Sequence, residues 1–211
     1  MEILSNFTVE VKDQEIYRYL GYKENSDIRS RYLNLIVELK KLSNFLVRPI
    51  SIYTIVSADK ISSHRIFKKT EMVAFSVCSI GPALEEKVSK FTQSGELTKG
   101  LILDAIGSCV VEEVADYANF RICTCAKNLD LLASRRFSPG YSSWKIEGQK
   151  LIFKILDGSK IGVKLLDSMM MVPRKSISFA VNLSKDISSS DVKIKCSRCN
   201  FKNCPYRHSS V

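Results

Sequence analysis

The stretch LTKGLILDAIGSCVVEEVADYAN, residues 97–119, decides the fold. Within it Leu103, Ile106, Val110, Val114 and Tyr117 recur at three- and four-residue steps and share one side of a helix. An apolar stripe this long must lie against a sheet or a second helix, so a domain built around this element is expected. Leu101, Ala105, Ser108 and Glu112 fall together on the opposite side, where Glu112 projects above small side chains that leave room for a ligand. The plainer use of Glu112 is that of a solvated helix acid.

Upstream, residues 7–12 alternate Phe7, Val9 and Val11 with polar residues and predict a short strand. Asp13 suits the start of a short helix through Leu20, closed by Gly21. From Asp27, the positions Ile28, Tyr32, Leu35, Ile36, Leu39, Leu42 and Leu46 predict an amphipathic helix ending before Pro49. Strands are expected over 50–56 and 72–78, the second breaking at Ile80-Gly81-Pro82 into a helix through Phe91. The run from Gly95 to Gly100 has the spacing of a nucleotide loop, but Leu101 and Ile102 replace the required Lys and Ser or Thr, so it reads as a helix start. Downstream, a Pro-Gly loop at 135–141 precedes a helix over 146–156, then strands over 163–166 and 176–181. Trp144 and the methionines 169–171 read as packing. Helices of unequal length mixed irregularly with strands predict an α+β domain with a central antiparallel or mixed sheet and flanking helices. Beyond Leu183 the composition shifts to Ser, Lys and Asp, so the domain is expected to span 1–183 and a tether with a Cys-containing tail 184–211.

Composition narrows the function. The 211 residues are 45% hydrophobic, too many for a disordered chain, and carry a net charge of +10, which suits an acidic partner. Nucleic acid, an anionic cofactor and an acidic protein surface all meet that description. No apolar run approaches a membrane span, and Glu2, Glu10 and Asp13 stand where a signal peptide would be basic and then apolar, so a cytosolic chain with reduced thiols is expected. His64 and His208 are the only histidines, too few for a three-His metal site and unpromising for a His-dependent triad. Cys78 and Cys109 lie in apolar runs and read as core, as does Cys123-x-Cys125 more weakly.

The loop Arg136-Phe137-Ser138-Pro139-Gly140-Tyr141 combines a fork of donors for a carboxylate, a fixed turn, a bare backbone position and an aromatic face. Those parts suit an amino acid joined to a nucleoside, although Ser-Pro-Gly-Tyr is also a common structural turn. The loop resembles the Arg-Pro-Ala-Pro-Gly-Tyr loop of the activation domain of cobalamin-dependent methionine synthase. The following order is similar too: Ile161-Gly162-Val163-Lys164-Leu165-Leu166-Asp167-Ser168, Pro173 and Ser176-Ile177-Ser178 resemble that domain's Gly-x-Lys-Leu-Thr-Glu-Ser, Pro and Ser-Val-Ser. Ile80-Gly81-Pro82-Ala83-Leu84-Glu85, Leu103-Asp104-Ala105-Ile106-Gly107-Ser108 and Arg18-Tyr19-Leu20-Gly21-Tyr22 resemble short free-standing relatives.

The resemblance covers roughly residues 8–183. It implies a curved α+β domain that binds S-adenosylmethionine in a shallow groove and presents it to the cobalt of a corrinoid. Cobalt oxidised to the inactive cob(II)alamin is then recovered by reductive methylation. By position, Arg136 matches the loop arginine that pairs with the methionyl carboxylate. Ser138, at the family's Ala, and Gly140 match backbone contacts, Tyr141 the loop tyrosine, and Glu112 the acid of the long helix. No tyrosine stands beyond the Ser-x-Ser strand, since residues 182–194 contain none, and the family's N-terminal aspartate has no counterpart. The resemblance extends to no corrinoid, folate or homocysteine module within these residues, which implies a corrinoid-binding protein or the remaining modules of methionine synthase as partner, with a flavodoxin-like reductant. The chain would then be an accessory part of a methyltransferase.

The tail adds a second signal. Cys196, Cys199, Cys204 and His208 have spacing for a Cys3His zinc site, or for three ligands of an iron-sulfur cluster, against the plainer reading of an unliganded basic tail. Two other functions follow from these features. One is a basic metal-containing binding module with a vestigial groove, and the other a non-catalytic subunit of a split methionine synthase.

Overall fold

The computed structural model describes residues 1–5, 7–22, 30–61, 65–67, 70–141 and 144–187. Its centre is a curled five-stranded antiparallel sheet in the order β1-β2-β3-β7-β4, formed by Glu2–Ser5, Ile50–Ser57, Met72–Ser79, Ser176–Ser184 and Leu132–Ala133 respectively. A two-stranded ribbon pairs β5 (Lys164–Leu165) with β6 (Met171–Val172). The strands β2, β3 and β7 pair over eight residues, from Ile50 opposite Ser79 to Ser57 opposite Met72, and from Met72 opposite Leu183 to Ser79 opposite Ser176. Tyr53, Ala74, Cys78, Phe179 and Val181 face one way, and Ile52, Val73, Phe75, Val77 and Ala180 the other. Both faces are covered, which is why β3 reads as a continuous apolar run rather than an alternation.

The first face carries the helices α1 (Asp13–Tyr19), α2 (Ser30–Leu46), α3 (Ala83–Gln93) and α4 (Leu97–Asn128). The second carries Trp144, α5 (Gln149–Ile155) and the short 3-10 turns Ala58–Ile61, Arg65–Phe67 and Gly158–Ile161. Phe67 packs edge-on against both Phe75 and Trp144, with ring centroids 5.5 and 5.6 Å apart. The α+β reading therefore holds, with the sheet antiparallel. No helix among the described residues is long and apolar enough to cross a membrane.

Two sequence readings need correction. Residues 7–12 form no strand: Phe7, Val9 and Val11 are apolar because they pack on the helical layer, Phe7 stacking on Tyr117 of α4 at 4.3 Å. The strand lies earlier, at β1. The supposed open row of α4 is also partly closed, since Ala105 is buried while Leu101 is exposed. On another side of α4, a Cβ at Gly107 would lie 2.6 Å from Leu84 Cδ2, so the missing side chain sets how closely α3 approaches. Asp27 and Ile28, where the second helix was expected to begin, lie outside the described residues.

Cys78 and Cys109 are buried as expected, and desolvation pushes both thiols up to about 12. Their thiolate fraction at pH 8 is then on the order of one in ten thousand, and burial blocks reagent as well. Peptide mapping after brief alkylation of the native protein at pH 8 is expected to find both unmodified until denaturant is added. Rapid native labelling of Cys78 would contradict this packing.

Candidate functional site

The segment after β4 is laid along the edge of β7 by hydrogen bonds to that strand's main chain. The Ser134 N–H donates to the Asn182 carbonyl at 2.8 Å, and the Asn182 N–H to Ser134 Oγ at 3.0 Å. Phe137 exchanges two backbone hydrogen bonds with Ala180, at 2.9 and 2.8 Å. Successive side chains of an extended segment point to opposite faces. Phe137 accordingly packs into the second layer against Trp144, with centroids 5.4 Å apart, while Arg136 turns toward α4.

The guanidinium of Arg136 lies 5.7 Å from the ring centre of Phe179, with 18% of its side chain exposed. Its Nη2 donates to Glu112 Oε2 at 2.7 Å and lies 3.0 Å from Asp116 Oδ1. Glu112 and Asp116 are one helical turn apart on α4, so a rigid helix presents both carboxylates to one cation. Burial alone would lower the pKa of Arg136, but Glu112 and then Asp116 outweigh it and leave it raised. The carboxyl of Asp116 is held above its ordinary value, first by desolvation and then by Glu112, against the pull of Arg136. Tyr19, at the end of α1, is likewise pushed up by burial and by the charge of Glu112.

The same row of α4 continues toward its start. The half-buried Lys175 donates to Ser108 Oγ at 2.7 Å and lies 2.9 Å from Asp104 Oδ1. Asp104, Ser108, Glu112 and Asp116 thus recur every four residues, with one cation at each end of the row. Asp116, Asp104 and Lys175 escaped the sequence reading. The four-residue repeat was a visible signal for the two acids, whereas Lys175 is brought in by β7.

After Arg136 the chain turns sharply. Pro139 is buried, Gly140 has φ +89, and a Cβ at Gly140 would lie 3.1 Å from Ile146 Cδ1. The Gly140 N–H donates to the Trp144 carbonyl at 2.8 Å, and the Tyr141 N–H to the Ser138 carbonyl at 3.3 Å. Tyr141 is 74% exposed and presents its ring to solvent. Of the five residues expected at a ligand site, Glu112 and Arg136 are therefore in direct contact, while Ser138, Gly140 and Tyr141 form the turn that follows Arg136. The proposed metal ligands Cys196, Cys199, Cys204 and His208 lie outside the described residues.

A separate hollow of about 660 Å³ opens between α2 and the start of α4, lined by residues including Tyr32, Glu38 and Lys99. Lys99 is paired there with Glu96. That hollow lies about 20 Å along α4 from Glu112, at 1.5 Å rise per residue, and Glu112, Asp116 and Arg136 are not among its lining residues.

The fold has a solved counterpart described as the crystal structure of the MetH reactivation domain bound to AdoHcy. It matches 91% of this chain and 81% of its own with a TM-score of 0.61, at 12% sequence identity, a likeness of fold. The family described as vitamin B12 dependent methionine synthase, activation domain, matches residues 23–189. That span takes in both the helix bearing Glu112 and the loop bearing Arg136, and the chain belongs to this activation-domain family.

Proposed function

We propose that the groove between α4 and residues 134–141 binds S-adenosylmethionine and presents its methyl group to a corrinoid held by a partner. The partner is either the remaining modules of a methionine synthase or a separate corrinoid protein, with a flavodoxin-like protein as electron donor. On this reading residues 1–183 are the binding unit. The observation that carries it is the 2.7 Å contact between Arg136 and Glu112. An α-amino acid bears its carboxylate and ammonium on one carbon, so their receptors must be neighbours, as these two are.

The donor set fits the ligand. Both acid contacts of Arg136 fall on Nη2, so its other edge can take the methionyl carboxylate in a two-pronged contact. Glu112 faces the ammonium and sulfonium charges. The Gly140 turn leaves main chain uncovered beside the groove, and the exposed Tyr141 ring offers a face to adenine. Bound there, the ligand supplies a methyl group whose bond to sulfur breaks with both electrons left on sulfur. The chain's own residues hold and orient it, and none has to accept a proton.

A non-catalytic subunit is the second reading, and the capture of Arg136 by two of the protein's own carboxylates favours it. Calorimetric titration with S-adenosylmethionine separates the two. Binding near one ligand per chain is the expected result, and no heat at millimolar ligand would leave the structural subunit as the better account.

A further inference from the structure

Charge is divided unevenly along the fold. Residues 83–128, which hold α3 and α4, carry seven Asp or Glu and five Lys or Arg, whereas residues 132–187, which include α5 and the ribbon, carry four and ten. Lys145, Lys150, Lys154, Lys160 and Lys164 are all exposed, and none closes an ion pair or hydrogen bond within the described structure. These free cations stand beside an apolar face. In the ribbon Lys164 is opposite Val172 and Leu165 opposite Met171, and the Leu166 N–H donates to the Met170 carbonyl at 2.9 Å, which adds a third pair. Opposite residues share a face and successive residues alternate, so Lys164, Leu166, Met170 and Val172 lie together. Met171, on the other face, packs on the core of the second layer. Leu166, Met170 and Val172 are 45, 49 and 42% exposed, a strip of uncovered apolar surface. On α5, Ile152 faces that same core, while Lys150 and Lys154, one turn apart, lie on the opposite side.

We infer that this outer surface of the second layer is a docking site for an anionic lipid membrane. The apolar face of the ribbon enters the boundary between headgroups and acyl chains, and the lysines pair with lipid phosphates. Charge complementarity calls for a negative partner, and the kind of cation selects among negative partners. Lysine presents a point charge on a flexible stem and demands no fixed geometry, unlike the planar fork of arginine. Five unanchored lysines therefore suit a fluid surface of many mobile phosphates better than a protein whose acids stand at set positions. A nucleic acid would call for aromatic faces among the cations, and Trp144 is buried. The apolar strip is borne by a narrow hairpin rather than by the walls of a pocket, a shape that can enter a headgroup layer. Attachment is peripheral, since no helix among the described residues is long and apolar enough to cross a membrane. Arg136 and α4 lie on the other side of the sheet, so a chain docked in this way keeps its groove open. Each lysine at an anionic surface strengthens binding by roughly fivefold at low salt.

The test sediments the full chain with vesicles of phosphatidylcholine alone and with vesicles containing about one-third phosphatidylglycerol, at low and at physiological salt. The native protein is expected to bind the anionic vesicles at least about tenfold more tightly than the neutral ones, with the ratio shrinking as salt rises. Lys150→Glu with Lys154→Glu should weaken that binding by at least about tenfold, and Lys150→Arg with Lys154→Arg should keep it. Leu166→Asn with Met170→Gln should cost about tenfold at both salt concentrations, because burial of apolar surface is not screened. Every substituted side chain is exposed, so thermal melts of the variants should match the native protein. Equal binding to both kinds of vesicle, or retention by neither, would overturn the inference. Binding that the glutamate variant abolishes but the ribbon variant leaves unchanged would overturn it too, as mere adhesion of a basic chain. Retention of double-stranded DNA or of polyglutamate in place of the anionic vesicles would assign the surface to another partner and equally end the inference. None of these outcomes bears on titration with S-adenosylmethionine, so the inference and the proposed function fail separately.

Discussion

Arg136→Ala is expected to abolish measurable binding of S-adenosylmethionine while leaving the protein folded. Removing one partner of a close charge pair typically costs about 2–5 kcal/mol, or roughly 30- to several-thousandfold in Kd. The loss should sit toward the upper part of that range because two effects combine. The ligand carboxylate loses its fork of donors, and Glu112 and Asp116, no longer bridged at 2.7 and 3.0 Å, present it with two unshielded negative charges. Folding should suffer little, since both acids are substantially exposed and can be hydrated, and the backbone of 134–137 is held by its bonds to Asn182 and Ala180 rather than by the arginine. Arg136→Lys should recover part of the affinity, because it restores the charge without the planar fork. Titration of both variants beside a thermal melt checks the claim, and an unchanged Kd for Arg136→Ala would remove this groove as the site.

The largest expected effect on stability comes from Phe75→Ala. Phe75 is fully buried on the second face of β3, edge-on to Phe67, which in turn packs on Trp144 and Phe137. Truncating a buried Phe typically costs about 3–5 kcal/mol through lost transfer energy and the cavity left behind. The site should suffer indirectly, because Phe67, Trp144 and Phe137 form one continuous ring cluster and Arg136 adjoins its last member. Urea denaturation should show a lower midpoint with little change in slope. A loss below about 1 kcal/mol would mean that the second layer closes over the gap, contrary to the packing described.

How much of this was legible beforehand varies with the kind of signal. Long helices declared themselves, because a stripe such as Leu103, Ile106, Val110, Val114 needs no knowledge of the partner surface. The end of α4 did not: expected near Asn119, it runs to Asn128 with Ile122 and Ala126 still buried, but the exposed Phe120 and the intervening Cys and Thr residues blur the periodic signal. Alternation at 7–12 failed for the opposite reason, because an extended chain lying on helices shows the same period as one in a sheet. Of the two-residue strands, β5 falls within the strand expected over 163–166, whereas β4 and β6 are too short to leave any pattern. Within the site, Glu112 and Arg136 came from family resemblance in the sequence, whereas their contact, across 24 residues, required the fold. Asp116 went unnoticed despite its place in the four-residue repeat, because an acid on a long helix is ordinarily a solvated one; its distance from Arg136 sets it apart.

The pinning of residues 134–137 to β7 bears on how this protein would answer its ligand. The acids stand on the most deeply packed stretch of the longest helix, and the arginine beside a central strand, so the elements that carry the charged groups are parts of the cooperative folding unit rather than of a lid. Occupancy and global folding are then thermodynamically linked: whatever free energy the ligand gives the groove is given to the native state as a whole, about 2.7 kcal/mol at a hundredfold excess over Kd. An apparatus of this kind spends little of its affinity on ordering itself, and it is built to hold its cargo in a fixed orientation until a partner arrives.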